Sequence, residues 1–292
     1  MLPDTGRLAL IAGAGEIPIR IAQACAARGV PLFVVILDGH GEADLAVYPH
    51  LRASLGQVGL ILSRLKREGC TAVTLIGRVP RPDFRALKLD ARGAMLLPKV
   101  LVAARSGDDA LLRTLVRVFE SEGLRVVGAE EVMHDLAAPA GLQGAHAPRP
   151  QDWRDIGVAV RVVRAIGALD IGQAAAVADG LVLAVEAAEG TDAMLARVAE
   201  LDTALRGTAQ ARRGVLVKLP KSGQELRVDL PVIGVRTVEG AARAGLAGIA
   251  IAAGASLIAD APAVRAAADA AGLFVVGIDA DDLPPEAGGR AS

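Results

Sequence analysis

At 292 residues with a formal net charge of −1, the chain carries no basic field of the kind that draws nucleic acid. Aromatic residues make up 2%, with Trp153 and Tyr48 each the only one of its kind, which argues against a surface built on base stacking. Hydrophobic residues make up 52%, enough for two packed cores, yet the longest uncharged run, 244–259, has 16 residues interrupted by glycines and a serine. That is short of the roughly 20 apolar residues of a spanning helix, so the expectation is a soluble, cytoplasmic protein. No secretory signal is read at the amino terminus, where Asp4 and Arg7 precede a short apolar run.

Residues 7–12 form that run and end in Gly13-Ala14-Gly15, followed by an apolar-periodic segment to Arg28, which predicts strand, glycine loop and helix. A second buried strand is expected at 31–37, then a helix at about 57–67 and a third strand at 72–76. Two helices (about 93–105 and 109–122) and a strand at 124–127 follow. Strands without polar alternation, separated by helices, predict a parallel sheet covered on both faces. Between 135 and 155 periodicity fails in a stretch rich in proline and glycine, which reads as a linker. Beyond it come a helix at 152–168, strands at 174–178, 181–185, 214–219 and 225–229, a helix at 237–244, a strand at 247–251, a helix at 262–271 and a strand at 273–277. The fold class is therefore α/β: a Rossmann-like parallel-sheet domain at 1–135, a linker at 136–154, a mixed α/β catalytic domain at 155–283 and a tail at 284–292. Cys25, in a predicted helix, and Cys70, before a predicted strand, read as small buried residues.

Four places carry candidate chemistry. Gly13 and Gly15 after the first strand, with Asp38 after the second, invite a dinucleotide reading, but the sixth fingerprint position is Pro18 where glycine or alanine belongs. The alternatives are a backbone that approaches a phosphate or sugar, or a merely tight turn. Asp108 and Asp109 open a helix, either as cap and first-turn acid or as two carboxylates near a divalent ion. Glu186, Glu189 and Asp192 surround Thr191, the expected cap of a helix from 192 to 201, where backbone N–H groups suit a phosphate and carboxylates suit Mg²⁺. In 214–234, Lys218 and Lys221 flank a turn and precede a strand that alternates Glu225, Arg227 and Asp229 against Leu226, Val228 and Leu230. That pattern fits a half-exposed strand or a phosphate site with Asp229 as a fixed carboxylate. His40, His50, His134 and His146 have no metal-ligand spacing, and no Gly-x-Ser-x-Gly or Walker motif occurs.

The chain resembles the LpxI-type UDP-2,3-diacylglucosamine pyrophosphatases of bacterial lipid A synthesis, from the first strand to about residue 280. The resemblance rests on Leu10-Ile-Ala-Gly-Ala-Gly15 with Pro18, Gly107-Asp-Asp-Ala-Leu-Leu112, Asp170-Ile-Gly-Gln173, the run from Gly180 to Asp192, and Asp229-Leu-Pro-Val-Ile-Gly234. Ser222 stands where the family commonly has proline, and Glu225 where it has aspartate. The resemblance implies a two-domain enzyme, often a homodimer, that requires Mg²⁺. It would hydrolyse the pyrophosphate of UDP-2,3-diacylglucosamine to UMP and 2,3-diacylglucosamine 1-phosphate. By the same resemblance Asp229 is the essential catalytic residue, ligating Mg²⁺ or positioning water. Asp192, Glu189, Asp108 and Asp109 are then further candidate metal partners, and Gly13, Gly15, Gln173, Thr191 and Lys218 candidate substrate contacts. The diacylated substrate implies peripheral contact with the cytoplasmic face of the inner membrane. The rival readings are a nicotinamide-dependent oxidoreductase using the glycine loop and a non-catalytic UDP-sugar-binding protein.

Overall fold

The computed structural model describes residues 6–80, 83–84 and 86–281; the expected tail lies outside these. The chain divides into two compact units, one formed by 1–134 with 225–229, the other by 135–224 with 230–292.

Unit 1 runs β1 (Arg7–Ala12), α1 (Glu16–Ala27), β2 (Leu32–Leu37), β3 (His50–Ala53), α2 (Val58–Arg67), β4 (Cys70–Ile76), α3 (Ala91–Arg105), α4 (Asp108–Ser121), β5 (Arg125–Val126) and α5 (Ala129–Val132). Its sheet has the order β3-β2-β1-β4-β5, with every pairing parallel. The unbroken apolar sequence of β2 is buried at all six positions, as a strand covered on both faces requires. Cys25 and Cys70 are buried free thiols, and burial pushes the Cys70 thiol up to about 11, so both act as packing groups. The edge strand β3 was not predicted: four residues that include His50 and Arg52, only one of them fully buried, carry too little apolar signal.

Unit 2 contains β6 (Gly141–Leu142), α6 (Pro150–Ala168), β7 (Ala174–Ala178), β8 (Leu181–Val185), α7 (Gly190–Glu200), β9 (Val215–Lys218), β10 (Val232–Ile233), α8 (Val235–Arg243), β11 (Gly248–Ala252), β12 (Leu257–Ile258), α9 (Ala261–Ala271) and β13 (Phe274–Ile278). Its sheet order is β6-β13-β11-β9-β7-β8. The three central strands β13, β11 and β9 are parallel, while β6, β7 and β8 join antiparallel. Asp179 and Gly180, both at positive φ, turn β7 into β8 as a two-residue hairpin demands, and buried Asp155 accepts both of their N–H groups at 3.0 and 2.7 Å. α6 starts with Pro150 in its first turn, and Asp152 accepts the Arg149 N–H at 2.8 Å at the start of the helix.

Two expectations are corrected here. The stretch expected to be a linker is built into unit 2: Ala138 is buried in its core, Ala138 N–H bonds to the Ser256 carbonyl, and Gln143 N–H bonds to that of Val275. Proline and glycine there serve backbone docking rather than looseness. The strand expected at 225–229 is a turn, with the N–H groups of Val228 and Asp229 donating to the Glu225 carbonyl at 3.1 and 3.2 Å. Although it falls inside the sequence of the second half, this segment groups with unit 1.

Candidate active site

At the carboxyl ends of β1 and β4 the strand order of unit 1 changes direction, where open α/β sheets place their ligand crevice. Here that crevice is laced by backbone. Ala14 and Arg78 exchange hydrogen bonds at 2.9 and 2.8 Å, and a Cβ on Gly13 would come within 2.8 Å of the Gly77 carbonyl group. Gly13 is therefore demanded by the close approach of two loops. Gly15 caps α1 at φ 113°, and its N–H donates at 3.0 Å to the Glu42 carboxylate, so an acid of the chain already meets this helix end. Neither arrangement leaves the open glycine cradle that a dinucleotide uses.

Unit 1 instead holds a cavity of about 460 Å³ beside the sheet, within the usual range for ligand sites. Its walls are largely apolar, with Leu96, Leu97 and Val100 of α3 and Leu111, Leu112 and Leu115 of α4 among the residues that supply them. Among the described residues, the charged ones that line it are Arg78, Asp108 and Asp229. Asp108 does not cap its helix as expected. Gly107, at φ 117°, takes the capping position, and both aspartates fall in the first turn of α4, favoured there by the helix dipole.

Asp229 reaches this wall through a clamp on the 225–229 turn. The Asp109 carboxylate accepts the Glu225 N–H at 2.7 Å and also pairs with Arg113 at 2.7 Å. Arg227 grips both carboxylate oxygens of Glu225 at 2.8 Å and reaches Glu120 at 2.7 Å, while Val228 packs on the unit 1 core. The Arg227 guanidinium hydrogen-bonded to Glu225 holds that carboxyl below the usual range, and the two carboxylates hold Arg227 firmly charged. Asp109 thus positions Asp229 from the backbone side.

The acids and lysine of unit 2 are arranged differently. Thr191 lies inside α7, whose capping residue is Glu189, and its hydroxyl donates to Glu186 at 2.7 Å and accepts from Lys218 at 3.0 Å. Lys218 also donates to the Val232 carbonyl at 3.0 Å, and Glu186 accepts the Gln173 N–H at 3.2 Å. Glu186, Thr191 and Lys218 are all buried, so this is an internal network joining the ends of β7 and β8 to α7, β9 and β10. Burial obliges Lys218 and Thr191, both expected as substrate contacts, to satisfy their polar groups, and in this structure they hydrogen-bond to one another. Glu189 pairs with Arg197, and Asp192 with Arg236 at 2.6 Å. Among the described residues, no three His, Cys, Asp or Glu side chains form a group that could hold a metal by themselves. The five predicted carboxylate ligands therefore do not assemble into one cluster; Asp108 and Asp229 alone among them line the cavity.

The LpxI N-terminal domain family matches residues 7–136, and the LpxI C-terminal domain family matches residues 139–276. The chain belongs to the LpxI family. A curated relative, the UDP-2,3-diacylglucosamine pyrophosphatase LpxI of Caulobacter vibrioides, is 52% identical over 278 residues, 95% of this chain and 99% of that protein. A crystal structure of the biotin carboxylase subunit of pyruvate carboxylase is similar over 60% of this chain and 35% of its own, at 12% identity and a TM-score of 0.22, and carries no argument. In this LpxI chain, Asp229 lies within the stretch matched by the C-terminal family yet clusters with the amino-terminal unit. Sequence reasoning missed Arg78, the Arg227 clamp and the cavity. The available signal for the cavity was α3 and α4 themselves, which carry more leucine and valine than one helix face on a sheet requires.

Proposed function

We propose that this chain hydrolyses the pyrophosphate of UDP-2,3-diacylglucosamine, giving UMP and 2,3-diacylglucosamine 1-phosphate in lipid A biosynthesis, with Mg²⁺. The observation that carries the reading is the apolar unit 1 cavity with Asp229, Asp108 and Arg78 on its wall. Such a site suits a substrate that needs both an apolar chamber and a charged wall. A diacylated sugar phosphate does, since each buried CH₂ contributes about 0.8 kcal/mol. The identity to the Caulobacter enzyme supports the same substrate.

The donor set fits Mg²⁺, which is commonly bound by one or two carboxylates together with substrate phosphates and water. Asp229 and Asp108 would hold it, and it would neutralise charge on the phosphates. Asp229 orients the attacking water and takes up its proton. The water oxygen bonds to the phosphorus that bears the glucosamine while the bridging P–O bond breaks, and UMP leaves with the bridging oxygen. Arg78 offsets negative charge on the phosphoryl oxygens. The Glu225–Arg227–Glu120 clamp keeps Asp229 at the wall throughout.

The test is incubation with UDP-2,3-diacylglucosamine in detergent micelles, with and without Mg²⁺, followed by detection of UMP. Mg²⁺-dependent UMP release is expected, and chelation should stop it. Binding of the substrate without UMP release would overturn the hydrolase reading in favour of a UDP-sugar-binding protein.

A further inference from the structure

α3 is apolar on two faces. Gly93, Leu96, Leu97 and Val100 look into the cavity. At 100° per residue, Ala91, Met95, Pro98, Lys99 and Val102 form the opposite face, and all are exposed. Met95 is 80% and Val102 66% exposed, the second and fourth highest values among the large exposed hydrophobic side chains described. The helix contains no acidic residue, while Arg92, Lys99 and Arg105 lie along it and exposed Lys88 precedes it. Arg92 is paired with Glu122, whereas no ion pair is found for Lys88, Lys99 or Arg105 among the described residues. The preceding Asp90 faces inward as the helix cap, accepting the N–H groups of Gly93 and Leu60.

A core helix would bury Met95 and Val102, and a helix turned to water would carry acids beside its bases. Apolar side chains flanked by uncompensated cations suit a surface that is oily inside and anionic outside. We propose that the outer face of α3 is the element by which this protein docks on an anionic lipid bilayer, with Met95 and Val102 entering the headgroup–acyl boundary and Lys88, Lys99 and Arg105 meeting lipid phosphates. This rests on the reading of the cavity as a lipid chamber: the same helix that touches the bilayer forms the chamber wall, so acyl chains pass from one apolar phase to another along it. A second copy of the chain is the weaker occupant. An isologous contact through this face would set the same cations against one another.

The test is co-sedimentation of the full chain with vesicles of phosphatidylglycerol and phosphatidylethanolamine, against vesicles of phosphatidylcholine alone. Wild type should bind the anionic vesicles, and more weakly as salt rises. The pair Met95→Glu and Val102→Glu, on exposed helix positions that do not line the cavity, should lose at least tenfold in vesicle affinity. Lys99→Gln with Arg105→Gln should lose on the order of tenfold or more, at about 1 kcal/mol for each cation near an anionic surface. The substrate is absent from this assay, and turnover of the Met95/Val102 variant in detergent micelles should match wild type, so a failure here is separable from failure of the hydrolase reading. Equal binding by wild type and the Met95/Val102 variant would overturn the proposal. So would a dimer of wild type, seen by analytical ultracentrifugation, that this variant dissolves without any vesicle binding by wild type.

Discussion

Around Asp229, in unit 1, carboxylates stand on the wall of an apolar cavity; around Thr191, in unit 2, acids and a lysine are buried among strands with their hydrogen bonds spent on one another. Both regions draw on the same residue types, and both join turns to helix or strand ends. What separates them is the fate of the charge. Buried Lys218 and Glu186, bridged by the Thr191 hydroxyl, hold strands together, with Lys218 also bonded to the Val232 carbonyl. In unit 1 the ion pairs of Asp109 with Arg113 and of Arg227 with Glu120 and Glu225 fix the turn that carries Asp229 to the cavity wall. The clamp is structural so that its neighbour can be chemical.

The sharpest way to break this contrast is Asp229→Asn, which keeps shape and removes the charge. Turnover should fall at least about 100-fold, the lower end of what a positioned acid–base group supplies. The protein should remain folded, because Arg227 and Asp109 hold the 225–229 turn through Glu225 and asparagine keeps the shape of the aspartate. A rate near wild type would remove Asp229 from the chemistry.

Lys218→Met makes the reverse prediction for unit 2. It leaves Glu186 buried without its cation, which costs about 3–5 kcal/mol in comparable cases. Denaturant unfolding should show that loss, while the protein still folded turns over at close to the normal rate. Adding Glu186→Gln should recover part of the stability, since the buried charges are then removed together. A full-length, normally stable Lys218→Met protein with no turnover would place Lys218 in the reaction after all.

How far the sequence foretold this contrast depends on what each feature needs. Strands such as β2, β7 and β11 announce themselves, because unbroken apolar runs between helical segments have few other homes. The strands at 174–178 and 181–185 were read as well, though the turn that Asp179 and Gly180 make between them was not. The 225–229 segment misled, because a turn that points Leu226 to solvent and packs Val228 on a core imitates strand alternation. Asp108 misled in a smaller way: Gly107 reaches a φ of 117° that an aspartate rarely adopts, and so displaced it as the cap. The cavity was not legible, since it arises from how α3 and α4 stand off the sheet, which no single helix pattern encodes. Nor was the Thr191 network, where the sequence shows the donors and acceptors without showing that they meet.

Arg227→Ala sharpens the comparison from the unit 1 side. Turnover should drop by about tenfold to a hundredfold through misplacement of Asp229, with Asp229 chemically intact. The effect also has a pH signature. Arg227 lowers the Glu225 carboxyl in the folded chain, so the folded state holds fewer protons there than the unfolded one as pH falls below the usual glutamate value of about 4.3. The stability contributed by this pair is complete above that value and is lost as pH falls through the depressed folded one. Stability curves of wild type and variant should therefore converge at the acid end and separate above it; parallel curves would mean that Arg227 acts by bulk alone.

The smallest effect is expected at the acids of α7. Glu189 and Asp192 each meet an arginine at the protein surface, where ion pairs are screened by solvent and salt. Glu189→Gln and Asp192→Asn should each leave turnover and its Mg²⁺ dependence unchanged. That outcome carries weight because these residues sit in a long motif shared with the family resemblance, beside a helix end well suited to anions. If either variant raised the Mg²⁺ concentration needed for half-maximal turnover by about tenfold, the surface pairs would be resting states of metal ligands. The division between a structural unit 2 network and a chemical unit 1 wall would then fail at its edge, at the first turn of α7, while the buried core of Glu186, Thr191 and Lys218 kept its structural role.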